Sequence, residues 1–202
     1  MFSTHQPVIA QYARSNPVAM ARVALFAVLS IQQPLTRLQI DLASVETLGA
    51  RSPALWGIKR NAYAFWQSGI DRTRVYDKLM AWWLDATISL EEFDFLGMSF
   101  ASTLPSFGLP KAGFFLQMCF GRVGCLDTHN VNMYGLKRIR TPKELKTETA
   151  KEKLIINYIR LCENLGGAEY LWNNWCAYVA AKNKTEASYI SSLHVTSLGL
   201  SD

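Results

Sequence analysis

A glycine turn, an amine and a carboxylate fall close together in the run LPSFGLPKAGFFLQMCFGRVGCLDTHN, residues 104–130. Leu104-Pro-Ser-Phe-Gly108 has the Pro and Gly of a short hairpin between two helices, and Asp127 follows Gly108 by nineteen residues. A sharp turn exposes successive backbone N–H groups, and the helix that follows adds the positive end of its dipole. Ser106, Phe107 and Gly108 are therefore a candidate phosphate cradle, with Gly108 letting the backbone approach the anion. Asp127 sets a carboxylate at fixed distance from that turn, and a fixed carboxylate can stabilise a developing cation or orient an attacking water. The plainer readings are an ordinary helix–helix turn and an N-capping Asp, and capping is compatible with catalysis. Lys111 reads as a phosphate contact or an exposed charge. His129 could bond a phosphate or the Asp, but a lone His near a cap is more often structural and is no evidence for a metal.

The elements that must position these groups are helical. Half of the 202 residues are hydrophobic, with six Trp, eight Tyr and ten Phe, enough for a sizeable core and against disorder. No alternating run of β-branched residues is long enough for a strand, so the expected fold class is all-α. The patterning predicts helices over 17–31, from Pro34 to about Gly49, over 53–66, over 71–84 with Asp71 as cap, and over 90–102 behind the capping box Ser89-Leu-Glu-Glu92. It further predicts one from Leu109 or Pro110 to Phe120, a short one capped by Asp127, a long one opened by Thr141-Pro-Lys-Glu144 and ending near Leu165, and an aromatic one over 168–181. The last twenty residues hold at most one short helix. The Trp and Tyr residues at helical spacing, such as Trp82, Trp83, Tyr170 and Trp172, are mainly core.

The net charge of +5 and pI of about 9.1 favour a polyanionic partner without establishing one. The basic run from Lys137 to Lys153 serves equally as a solvated helix face, diluted as it is by Glu144, Glu148 and Glu152. Cys119, Cys125, Cys162 and Cys176 have neither zinc-ribbon nor iron–sulfur spacing and are expected to be reduced, mostly buried thiols of a cytoplasmic protein. The apolar stretch 17–31 is too short, and too interrupted by Arg22, to span a bilayer.

Leu104-Pro-Ser-Phe-Gly108, Ala112 and Leu126-Asp-Thr-His129 together resemble the helix-hairpin-helix DNA glycosylase superfamily. Its members show an LPGVG-type hairpin, an Ala one helical turn after the last Gly, and a VDTH-type segment about twenty residues after that Gly. Val28-Leu-Ser-Ile-Gln-Gln33 is similar to the family's LSxQ segment. The resemblance implies a two-lobed helical unit, a central lobe over 34–134 and a second lobe of 1–33 plus 135–202, with a cleft between them. It implies a monomer that acts on double-stranded DNA, DNA-associated in the cytoplasm, with no cofactor. Asp127 would stand against the sugar of a flipped nucleotide as oxocarbenium character builds at C1′. Gln32 would fill the gap in the duplex, and Gln33, Ser106, Phe107, Gly108, Lys111 and His129 would contact DNA; the plainer reading of Gln32 and Gln33 is a polar elbow between two helices.

Two departures matter. Ser106 replaces the hairpin's first Gly, and Pro110 stands where bifunctional members carry the Schiff-base Lys. Lys111 lies one residue on, turned by about 100° on a helix. The expected activity is therefore a monofunctional glycosylase without lyase chemistry, from a divergent, phage-type member. The same fold resemblance covers enzymes of thymine hypermodification, which transfer an amine or amino acid to a modified base. That activity and a noncatalytic DNA-binding role are the alternatives.

Overall fold

The computed structural model describes residues 5–30, 35–137, 139, 142 and 145–182. Among the described residues the chain is all-α, as expected, with ten α-helices and no strand. These are α1 (His5–Ala13), α2 (Pro17–Leu29), α3 (Leu35–Leu48), α4 (Ile58–Gln67), α5 (Gly69–Leu84), α6 (Leu90–Ala101), α7 (Leu109–Phe120), α8 (Thr128–Met133), α9 (Glu148–Asn164) and α10 (Gly167–Lys182). None of them is long and apolar enough to cross a membrane.

The architecture is organised by α2. Its sequence, PVAMARVALFAVL, is apolar on all sides except at Arg22, and a helix of that kind has to be enclosed. Asn16 starts it by accepting the Ala19 N–H at 2.9 Å, with Pro17 as first helical residue. From Ala19 to Leu29 every residue but Arg22 is buried, and α1, α3, α4, α5 and α7 surround it. The second buried helix is α7, whose Leu109 and whole length from Ala112 to Phe120 are withdrawn from solvent between α1, α2 and α6. Aromatic rings fill the spaces between. Trp66 meets Phe107 and Phe115, and Trp83, Phe93 and Phe120 pack within 5.2 Å of one another, centroid to centroid.

Several boundaries differ from those the sequence predicts. The helix expected over 53–66 begins only at Ile58, because Gly57 takes φ 52°, ψ −128°, and Ser52 Oγ holds the preceding turn by accepting from Ala54 N. In α5 the cap is Ser68, not Asp71; the Ser68 hydroxyl accepts the Asp71 N–H. The long helix opens at Glu148 behind Thr147, whose hydroxyl accepts from Ala150 N, while Thr141, Lys143 and Glu144 lie outside the described residues. Helix α1 was not expected at all; its sequence HQPVIAQYA has a weak apolar stripe, and packing of Ile9, Ala10 and Ala13 under α7 holds it. Ser89 caps α6 through the Glu92 N–H, as expected.

One contact fixes how α7 meets the loop that follows it. At Gly113 a Cβ would stand 2.1 Å from the Gly124 carbonyl oxygen and 2.9 Å from the Tyr158 hydroxyl, so helix, loop and α9 meet where only a hydrogen atom fits. Gly113→Ala is expected to lower the unfolding free energy by about 3 kcal/mol, measured by urea denaturation; a loss below about 1 kcal/mol would show that the loop yields freely.

Candidate functional site

The hairpin is built as a tight turn. Phe107 N donates to Leu104 O at 3.1 Å, with Pro105 second and Ser106 third in the turn. Ser106 lies in the left-handed region at φ 68°, where a type II turn prefers Gly or Asn. Its hydroxyl donates to Ile58 O at 2.8 Å and ties the hairpin to the start of α4. Phe107 is buried, its ring turned into the core against Trp66 and Phe115. Gly108 precedes α7 in an extended conformation, and a Cβ there would meet nothing nearer than Pro110 Cδ at 4.0 Å. The fold itself does not demand this glycine. Beyond it the first-turn N–H groups of α7 have no preceding carbonyl to accept them, Pro110 carrying none.

Asp127 stands at the other end of the same unit. After Phe120 the chain turns through Gly121 at φ 67°, then Val123 at φ 65° and Gly124 at φ 147°. The β-branched Val123 is strained there. Partners from three elements hold the loop. Arg122 makes a two-pronged pair with the buried Asp94 of α6 at 2.9 and 2.7 Å. Tyr158 of α9 accepts the Leu126 N–H and donates to Gly124 O, both at 2.9 Å. Asn130 Nδ2 donates to Cys125 O at 2.6 Å. Asp127 then caps α8, accepting the Asn130 N–H on Oδ1 at 3.0 Å, while its side chain stays partly exposed. The backbone that carries this carboxylate is thus fixed on both sides.

Two lysines complete the site. Lys111, on the first turn of α7, reaches inward; its Nζ donates to Ser30 Oγ at 2.6 Å and lies 5.5 Å from the Phe114 ring centroid. Burial lowers its proton affinity below that of an ordinary lysine, with Cys125 and Asp127 pulling the other way. Lys59, on α4, is wholly buried and donates to Leu29 O at 2.9 Å, above the Trp56 ring. Burial lowers it too, Asp41 opposing and Lys111 reinforcing the shift. Cys125 beside them is pushed up to about 12 by burial first and Asp127 second, which rules it out as a thiolate at neutral pH.

Of the sequence-derived candidates, Lys111 and Asp127 are brought within electrostatic reach of each other. Ser106 and Gly108 lie at the other side of α7's start, Lys111 being three residues past Gly108. Gln32 and Gln33 are outside the described residues. His129 is on the first turn of α8, with its side chain not described. Sequence reasoning missed Lys59, Ser30 and Tyr158. Lys59 had a visible signal: it shares the buried stripe of α4 with Ala62 and Trp66, an ionisable residue where an apolar one belongs. Cys119, Cys125 and Cys162 are buried free thiols, and no metal-binding group of His, Cys, Asp and Glu occurs among the described residues. Comparison with known protein families, curated proteins and solved structures finds no match to this chain.

Tyr158→Phe would leave the buried Leu126 N–H and Gly124 carbonyl without the hydroxyl that joins them. The expected loss is about 1–3 kcal/mol of stability, seen as a lower urea midpoint at unchanged slope; an unchanged midpoint would mean that the loop is held without it.

Proposed function

We propose that the chain is a monofunctional DNA glycosylase, a divergent helix-hairpin-helix enzyme with the two-lobed arrangement of that family. The observation that carries the reading is the placement of Asp127: a carboxylate on a firmly held loop, beside an enclosed lysine that projects from the helix the hairpin opens. One short helix, α7, thus links a turn suited to gripping a backbone phosphate with a carboxylate suited to the neighbouring sugar.

In this reading double-stranded DNA lies across the hairpin, and a damaged or modified nucleotide is turned out of the stack towards Asp127. As the N-glycosidic bond breaks, positive charge grows at C1′ and on the ring oxygen. Asp127 stabilises that charge and orients the water that adds to C1′. Lys111, its Nζ donating to the Ser30 hydroxyl, stands enclosed beside that carboxylate. Gln32 and Gln33 serve the gap in the duplex, and Ser106, Phe107, Gly108 and His129 lie along the DNA path. No cofactor enters the reaction.

The test is incubation with duplexes that carry a panel of modified bases, followed by alkali to cleave abasic sites. Alkali-labile sites are expected with the wild-type chain and about 10²- to 10⁴-fold more slowly with Asp127→Asn. Strand breaks without alkali, with a borohydride-trapped adduct at Lys111, would replace the hydrolytic reading by a lyase. A change of base mass with the glycosidic bond intact would replace it by a base-modifying transferase. No labile sites above the Asp127→Asn control on any duplex would overturn it.

A further inference from the structure

The mechanism above leaves Lys59 unused, although it is among the largest wholly buried side chains of the protein. Burying an ammonium group is unfavourable unless partners compensate, and an apolar residue would fit the stripe of α4 with no such cost. The partners are specific. Lys59 Nζ donates to the carbonyl of Leu29, the last residue of α2, and the next residue, Ser30, takes the ammonium of Lys111 on its hydroxyl. Ser30 in turn donates to Ala27 O at 2.8 Å, which fixes the direction of its oxygen. Two amines from different helices, α4 and α7, therefore converge on consecutive residues of one helix end.

We propose that Lys59 is a positioning residue of the site: by holding the final carbonyl of α2 from inside the core it fixes Ser30, and through Ser30 it sets where the Lys111 amine stands relative to Asp127. This rests on the reading that Lys111 and Asp127 are the working end of the protein. The groups that face the two amines are few. Asp41 of α3, the Trp56 ring and Lys111 face Lys59, while Ser30, the Phe114 ring, Cys125, Asp127 and Lys59 face Lys111. Asp41 is itself buried and shares one oxygen with Arg37 at 3.3 Å, and its other oxygen has no hydrogen-bond partner among the described residues. The positive charge of Lys59 is thus only partly offset, and Lys111 stands against it as a second positive charge. The charge of Lys111 lowers the proton affinity of Lys59, and by linkage the two amines titrate as a coupled pair.

The test follows the Lys111 amine directly. Competitive acetylation across pH, read by peptide mass spectrometry, gives the titration curve of Lys111 in the full chain. In Lys59→Met, which keeps the length and removes the charge and the donor, the curve is expected to move up by about half a pH unit or more, so that Lys111 labelling near neutral pH slows about three-fold or more. Lys59→Arg, which keeps both, is expected to return it most of the way. A folded Lys59→Met protein with the wild-type curve would overturn the proposal. Should that variant fail to fold, ¹⁵N-lysine NMR on the wild-type chain decides: the Nζ signals of Lys59 and Lys111 are expected to titrate as a coupled pair, and independent single-step titrations would overturn it. Neither readout uses DNA. A chain with no alkali-labile products on any duplex could still show the coupling, and an active one could lack it.

Discussion

A helix that is apolar on nearly every side has to be buried, and a helix that is buried has to end somewhere. In this protein α2 ends inside, and its last carbonyl groups need donors that water does not supply. Most helices meet this need with a glycine turn or with solvent. Here the Ser30 N–H turns back to Phe26 O and Val28 O, and Lys59 reaches the Leu29 carbonyl from α4. Lys111 closes the same end from α7 by way of the Ser30 hydroxyl. The need to satisfy one helix terminus therefore draws two amines into the interior, and the site stands where they arrive.

The opposite wall depends on how near a loop can approach a helix. Gly113 on α7 admits the Gly124 carbonyl, and Tyr158 uses the space left over to bond the loop on both sides of Cys125. The buried Asp94 anchors the start of the same loop through Arg122. Burial raises the proton affinity of Asp94 more than Arg122 lowers it. Its native form therefore holds a proton more readily than the unfolded chain does. Its contribution to stability is present at low pH and falls as pH rises from about 4 through the native titration point. Strain at Val123 is held in place by these contacts.

The all-α class was legible because the apolar spacing from Pro17 onward is helical, and because Ser89 and the Pro110 region carry strong start signals. The boundaries that moved did so for local reasons that composition does not reveal. Gly57 adopted a conformation that only glycine takes easily and delayed α4, and Ser68 outcompeted Asp71 because it precedes α5 by one residue. Asp127 as a cap was readable from its neighbours. Its companions were harder to read, since Ser30, Lys59 and Tyr158 are separated in sequence by tens of residues and meet the site only through packing. Lys59 alone advertised itself, as a charge on an otherwise apolar stripe.

Ser106 has a mechanical consequence. A serine in the left-handed region is less favourable than glycine by about 1–2 kcal/mol, and the bond from its hydroxyl to Ile58 O offsets part of that. A glycine would leave the hairpin free to flex alone; with Ser106 it is riveted to α4. Ile58 is the residue before Lys59, so adjacent residues at the start of α4 tie the turn on one side and the end of α2 on the other.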